Sequence, residues 1–164
     1  MPTLYMICGK AASGKSSLAV QLAKTGATIV ISEDHWLSAL YGEQMSTLKD
    51  YVRFSAKLRA ALGPHIVTIL RSGLSVVMDY PANTVENRAW MRTLFEEAEA
   101  DHELHVLDVP EQVCLARLHA RNAAGEHPFA ATEEQFRRIT RQYMQPSSNE
   151  GFVIFRHAWA NDEH

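Results

Sequence analysis

The sequence is poor in cysteine: Cys8 and Cys114 are its whole supply, each in an apolar segment. Two isolated thiols make no Cys-rich metal site, and their surroundings predict buried free thiols, not a disulfide or redox pair. An excess of positive charge is missing as well. Lys and Arg number 16 against 19 Asp and Glu, a formal charge of −3 at pH 7. That argues against a broad electrostatic grip on a nucleic-acid backbone and leaves room only for a local basic groove. Long hydrophobic runs are lacking too. Met1 to Cys8 is apolar but short, has no basic leader, and is interrupted by Gly9 before a signal-peptide core or membrane span forms. A cytoplasmic location is therefore expected. The eight histidines show no metal-site spacing, and His102 and His105 are expected as surface residues flanking a strand. With no repeats or low-complexity tracts, residues 1–164 are expected to form one domain around one core.

What is present is an alternation of short apolar runs with helical patterns. Thr3 to Cys8 reads as a strand ending at Gly9, and a helix is expected from Gly14 to about Lys24. Thr28 to Ile31 is β-branched and stops at Ser32, Glu33 and Asp34, which predicts a buried parallel strand and then a loop. Between Gln44 and Ser72 the apolar spacing is helical, and Gly63-Pro64 predicts a division into two helices. Leu74 to Met78 is the third strand, closed by Asp79, after which Asn83 and Glu86 form a plausible capping box. Leu104 to Leu107 is the fourth strand. Pro110 and Glu111 open a helix reaching about Asn122, Ala123 to Ala131 reads as a mobile connection, and Thr132 with Gln135 caps another helix. Phe152 to Phe155 would be the fifth strand, before a polar tail from about Asn161. This order predicts an α/β fold, a five-stranded, mostly parallel sheet with helices on both faces. Ligands of such sheets collect at the carboxyl ends of the strands, where Gly9, Asp34, Asp79 and Asp108 all fall.

The most specific motif is Gly9-Lys10-Ala11-Ala12-Ser13-Gly14-Lys15-Ser16, a full G-x-x-x-x-G-K-[ST] match between a strand and a helix. Its small residues, Gly9, Ala11, Ala12, Ser13 and Gly14, let backbone N–H groups curl around phosphate oxygens. The following helix, through Lys15, Ser16 and Ser17, points its positive end at them. Lys15 adds a mobile charge, and Ser16 offers a hydroxyl to Mg²⁺ on the outer phosphates of a nucleotide. The Asn-Lys-x-Asp guanine motif is absent, and Asp79 leads into Tyr80-Pro81-Ala82 without a switch glycine, so a GTPase is not expected.

Phosphoryl transfer to a hydroxyl needs a carboxylate near the terminal phosphate, and Asp34, at the end of the neighbouring strand, is the candidate, with Glu33 a weaker rival. Asp79 resembles a carboxylate that holds Mg²⁺ through water. Arg117 and Arg121 share a helix face beside the mobile connection. They are candidates for a lid, residues 117–131, that closes cations over the transferring group. His35, with Trp36 and Tyr41, either lines an acceptor pocket or packs in the core. Arg137, Arg138 and Arg141 are expected to be solvated.

With these residues in hand, the chain resembles the small P-loop kinases grouped around polynucleotide kinase, the zeta toxins and chloramphenicol phosphotransferase, which carry an AAA-type ATP-binding domain. The resemblance implies a P-loop NTPase fold of the adenylate-kinase type. Ile31-Ser32-Glu33-Asp34 looks like the family's segment that ends in its general base, which implies that role for Asp34. Val77-Met78-Asp79 with Asn83 and Arg88 is similar to its third strand and the substrate-facing start of the next helix. Val106-Leu107-Asp108-Val109-Pro110 with Arg117 and Arg121 looks like its strand and lid helix. That likeness implies Arg121 on the transferring phosphate and Arg117 on the nucleotide. One departure bears on the acceptor: polynucleotide kinase has an arginine three residues after its catalytic aspartate, and here that residue is Leu37. An ATP- and Mg²⁺-dependent kinase for a small-molecule hydroxyl (metabolite, nucleotide sugar or antibiotic) is the leading expectation. A polynucleotide 5′-hydroxyl kinase and a nucleotide-binding switch or ATPase without an acceptor are the alternatives.

Overall fold

The structure, a computed structural model, describes residues 1–125 and 131–159. Five strands, β1 (Thr3–Cys8), β2 (Thr28–Ser32), β3 (Ser75–Pro81), β4 (Asp101–Asp108) and β5 (Ile154–Ala158), form one sheet in the order β2-β3-β1-β4-β5. Every pairing is parallel, with Tyr5 opposite both Val77 of β3 and Glu103 of β4. The helices are α1 (Lys15–Leu22), α2 (Glu33–Tyr41), α3 (Leu48–Arg71), α4 (Val85–Ala98), α5 (Glu111–Ala124) and α6 (Glu133–Arg141).

Alternation along the central strands divides the core. Leu4, Met6, Cys8, Met78 and Leu104 point to the face covered by α3 and α4, where Phe54, Leu58, Leu62, Ile66, Met91 and Phe95 meet them. Ile7 and Val77 point the other way, onto Leu18 and Ala19 of α1. A third cluster, with Val109, Cys114, Leu118, Ala131 and Phe136, joins α5 to α6 beside the phosphate loop. Each large apolar side chain buried in this way contributes about 1.5–3 kcal/mol. Both cysteines are buried free thiols, as the sequence predicts.

Several expectations are corrected. Gly63-Pro64 does not divide the helix: α3 runs unbroken for 24 residues with Pro64 inside. Phe54, Leu58 and Leu62 before the proline and Ile66, Val67 and Leu70 after it are all buried. Burying that continuous stripe outweighs the roughly 3 kcal/mol cost of an internal proline. No loop follows β2, because Ser32 caps α2 directly, its hydroxyl accepting from the His35 N–H. The cap of α4 is Thr84, which accepts from the Asn87 N–H at 3.1 Å, so the Asn83–Glu86 box does not form. Asp79 lies inside β3 and not beyond it, since the Ser32–Asp79 pairing extends the ladder. His102 and His105 lie within β4 and do not flank it; His105 is buried where β4, from Leu104 onward, is paired on both sides. By contrast, the Thr132–Gln135 capping box forms as expected. Residues 126–130 of the expected lid and the tail from 160 lie outside the described residues.

Candidate functional site

The loop from Gly9 to Gly14 is shaped by backbone demands that few residues meet. A Cβ on Gly9 would lie 2.4 Å from Ser13 Oγ and 3.2 Å from Leu107 Cβ, so any larger residue would displace the Ser13 hydroxyl from the loop and crowd Leu107. The Ser13 N–H donates to the Lys10 carbonyl at 3.1 Å, closing the turn. Ala12 and Gly14 take left-handed φ angles of 62° and 102°. Gly14 is the N-cap of α1 and offers no side chain to the first-turn N–H groups, which have no carbonyl partners within the helix. Their positive end is left facing the cradle, the arrangement that binds phosphate. Ala11 and Ala12 pack against the α5–α6 cluster, and Ser17 is exposed on α1. Gly9→Ala is expected to raise the Kd for ATP at least tenfold with little change in secondary structure, which calorimetry and circular dichroism would check.

Lys15 folds back over the loop, its ammonium donating to the carbonyls of Gly9 (3.1 Å) and Lys10 (3.0 Å). Burial pulls its pKa below the ordinary lysine value, while the charges of Asp79 and Asp34 oppose that pull. Ser16 Oγ donates to Asp79 Oδ2 at 2.8 Å. A hydroxyl and a carboxylate held together at the mouth of the cradle form a hard-oxygen donor set that suits Mg²⁺. Ser13 Oγ is buried without a hydrogen-bond partner among the described residues, a donor the cradle holds in reserve. The residues present therefore fit both a nucleotide phosphate chain and its cation.

Asp34 sits in the first turn of α2, and its charge reaches across to α5. Burial lowers the Arg121 pKa and the Asp34 carboxylate raises it. The Arg121 Nε is itself buried and unpartnered among the described residues. Lys15, Asp79, Asp34 and Arg121 thus belong to one electrostatic neighbourhood, although four different elements carry them. Glu33 faces the other way. It is buried beneath α3, accepts from Ser55 at 2.7 Å and from the Tyr51 hydroxyl, and burial pushes its carboxyl pKa up. His35 and Trp36 are exposed on α2 beside Asp34, whereas Tyr41 stacks on Phe54 with ring centroids 4.3 Å apart.

Three expected site residues also make structural contacts. Asn83 spans the start of the loop: its side chain accepts from Gly9 N–H at 2.9 Å and donates to the Gly9 carbonyl at 2.7 Å. Arg88 is fully buried and binds Glu150 at 2.8 Å, together with the carbonyls of Ala82 and Met144. Asn83 thus braces the start of the cradle, and Arg88 holds the residue that leads into Asn83. Arg117 lies with its guanidinium 5.0 Å from the Trp159 ring. Sequence reasoning missed the clamp at Gly9, the Trp159 platform, and Tyr143, whose hydroxyl accepts from Cys8 Sγ while its ring lies under Lys10. Nothing in local spacing signals them, since each joins segments far apart in the chain. Arg137 and Arg138 form exposed pairs with Glu133 and Glu134. No helix among the described residues is long and apolar enough to cross a membrane.

The strand order, the glycine-shaped cradle and the Ser16–Asp79 pair define a nucleotide-binding P-loop protein with a P-loop kinase fold. Residues 4–146 match the AAA domain family, and the chain belongs to it. Solved structures agree on the fold. A Chloroflexus aurantiacus protein provisionally described as a kinase superposes with a TM-score of 0.77 at 21% identity, covering 96% of this chain and 85% of that one. Kti12 from Chaetomium thermophilum, in complex with ADP-AlF3, gives 0.74 at 16% identity over 99% and 92%. The Mycobacterium tuberculosis APS kinase CysC, in complex with AMPPNP and APS, gives 0.64 at 23% identity over 99% and 90%. No curated protein matches the sequence.

Proposed function

We propose that the chain is an ATP- and Mg²⁺-dependent kinase that transfers the γ-phosphoryl group to a hydroxyl of a small-molecule acceptor. The observation that carries this reading is the shared electrostatics of Asp34 with Lys15 and Arg121. A carboxylate within the electrostatic reach of the cradle lysine and of a second cation suits the deprotonation of a hydroxyl nucleophile, which a nucleotide switch without an acceptor does not need. In this reading the cradle from Gly9 to Ser16 holds the phosphates, with Ser17 continuing α1. Ser16 and Asp79 hold Mg²⁺, which offsets charge on the outer phosphates. Asp34 takes the proton of the acceptor hydroxyl as its oxygen bonds to phosphorus and the bond to the ADP oxygen breaks. Lys15 and Arg121 stabilise the charge on the group in transit. Arg117, on the same helix, contributes to nucleotide binding, and the lid role of residues 117–131 belongs to this proposal. His35 borders the acceptor side.

Leu37 supports a small acceptor over a nucleic acid. It is 1% exposed, within the main core, so the position three residues after Asp34 offers no cation for an acceptor phosphate. The test is incubation of the protein with ATP, Mg²⁺ and pools of polyols, nucleosides, nucleotide sugars and aminocyclitol or phenicol antibiotics. Mass spectrometry should find one compound heavier by one phosphate. If only a 5′-hydroxyl oligonucleotide is labelled, or ATP is hydrolysed with no acceptor modified, the proposal fails.

A further inference from the structure

We propose that His105 and His157 form a binding site for one divalent transition-metal ion of the Zn²⁺, Ni²⁺ or Cu²⁺ type, with Glu103 orienting the inner imidazole. The site is separate from the nucleotide cradle and bridges β4 to the edge strand β5.

The geometry fixes the tautomers. His105 Nε2 lies 2.9 Å from Glu103 Oε1. An ionised carboxylate only accepts, so this nitrogen carries the proton and Nδ1 keeps its lone pair. His157 Nε2 lies 2.8 Å from that Nδ1. The ring centroids are 5.1 Å apart with planes inclined at 24°. At those separations the two nitrogens sit on the line between the ring centres, so the rings meet head-on and not face to face. Two imidazole nitrogens converge on a single shared proton, and that is the place a metal ion takes. Glu103, behind His105, is the carboxylate that commonly backs a ligating histidine.

The inner ring is enclosed by its neighbours. His105 is buried, stacked on Phe155 at 5.1 Å and near Tyr5. His157 is half-buried. Metal–nitrogen bonds of about 2.0–2.1 Å at a tetrahedral angle need the nitrogens about 3.3 Å apart. With the rings head-on, each lone pair must also turn about 35° off the line between the nitrogens, so His157 must withdraw by about half an ångström and tilt, movements open to β5, which pairs on one side only. As the ion enters, the proton on His157 Nε2 is lost and Nδ1 takes one from water, so no net proton is released. Glu103 is committed to the far nitrogen of His105, and among the described residues no group of three or more His, Cys, Asp or Glu side chains is placed to hold a metal ion, so the two imidazoles are the whole protein shell. Two protein ligands with water completing the shell predict micromolar affinity. Imidazole pairs select borderline ions over Mg²⁺, which the oxygens of Ser16 and Asp79 suit better.

The test uses the full chain stripped with EDTA. Calorimetric titration with Zn²⁺ and with Ni²⁺ in Mg²⁺-free buffer at pH 7.5 should show one saturable site, and saturating ion should raise Tm by several degrees. His157→Ala, on an edge strand, should keep its metal-free Tm within about two degrees yet bind at least thirtyfold more weakly. His105→Gln should bind as weakly, whereas the exposed His119→Ala should match the parent. In imidazole NMR spectra, Zn²⁺ should move the His105 and His157 resonances first. Absence of saturable binding, binding retained by His157→Ala, or first shifts at other histidines would each overturn the proposal.

Discussion

Asp34→Asn should lower phosphoryl transfer about 10³-fold while ATP binds as tightly as before, or more so. The size follows from losing a positioned base, which contributes about 10²–10⁴-fold. The direction of the binding effect follows from charge. Asp34 stands near Lys15 and Arg121, where its negative charge opposes that of the nucleotide phosphates. The amide keeps the shape of the side chain in the first turn of α2, and Ser32 rather than Asp34 caps that helix, so the fold should survive. Single-turnover transfer and ATP calorimetry on the same preparation separate the two effects. A variant with parental turnover would remove Asp34 from the chemistry. Turnover lost together with ATP affinity would recast it as part of the nucleotide cradle.

The largest stability effect is expected at Arg88. Its guanidinium, wholly enclosed, holds Glu150, Ala82 O and Met144 O at once. Cutting it to alanine strands a largely buried carboxylate and two carbonyls, at a cost of about 3–5 kcal/mol. For a domain of this size that lowers Tm by about 10 °C or more. The pair also has a pH signature. Burial alone would raise the Glu150 pKa, but its bonds to Arg88 and to the Ser147 N–H, with the charges of Arg88 and Arg92, hold it below the usual carboxylate value. A depressed carboxyl contributes stability above its unfolded pKa and loses it as pH falls through the folded one. Parental Tm should therefore drop more steeply below about pH 4.3 than that of Arg88→Ala. Equal slopes would show that Glu150 draws its low pKa from elsewhere. Because Arg88 also holds Ala82 O, next to the Asn83 clamp on Gly9, ATP affinity should fall along with stability.

The parts that were legible in the sequence are those whose cause is local. The phosphate loop is a run of eight residues in which small side chains and a following helix dictate the turn, and Gly9 and Gly14 carry the backbone constraints expected of them. Thr132 and Gln135 satisfy each other across three positions, and α6 starts where they say. Pro64 was misleading because its cost is local while its compensation, the packing of α3 on β3 and α4, is not. Asn83 was misleading for the same reason: its partner Gly9 is 74 residues away.

By itself, then, the sequence determined the alternation of five strands with helical segments, the parallel sheet and the anion cradle, since alternation, chirality and glycine geometry act over a few residues at a time. Only the tertiary structure decided which side chains share a site. It turned Glu33 under α3 while keeping Asp34 in the electrostatic reach of Lys15 and Arg121. It set Asn83 on Gly9 and Arg88 on Ala82, and brought His105 to His157 across two strands. Those outcomes depend on how the crossovers stack segments 18 or more residues apart, and no short-range pattern encodes that stacking.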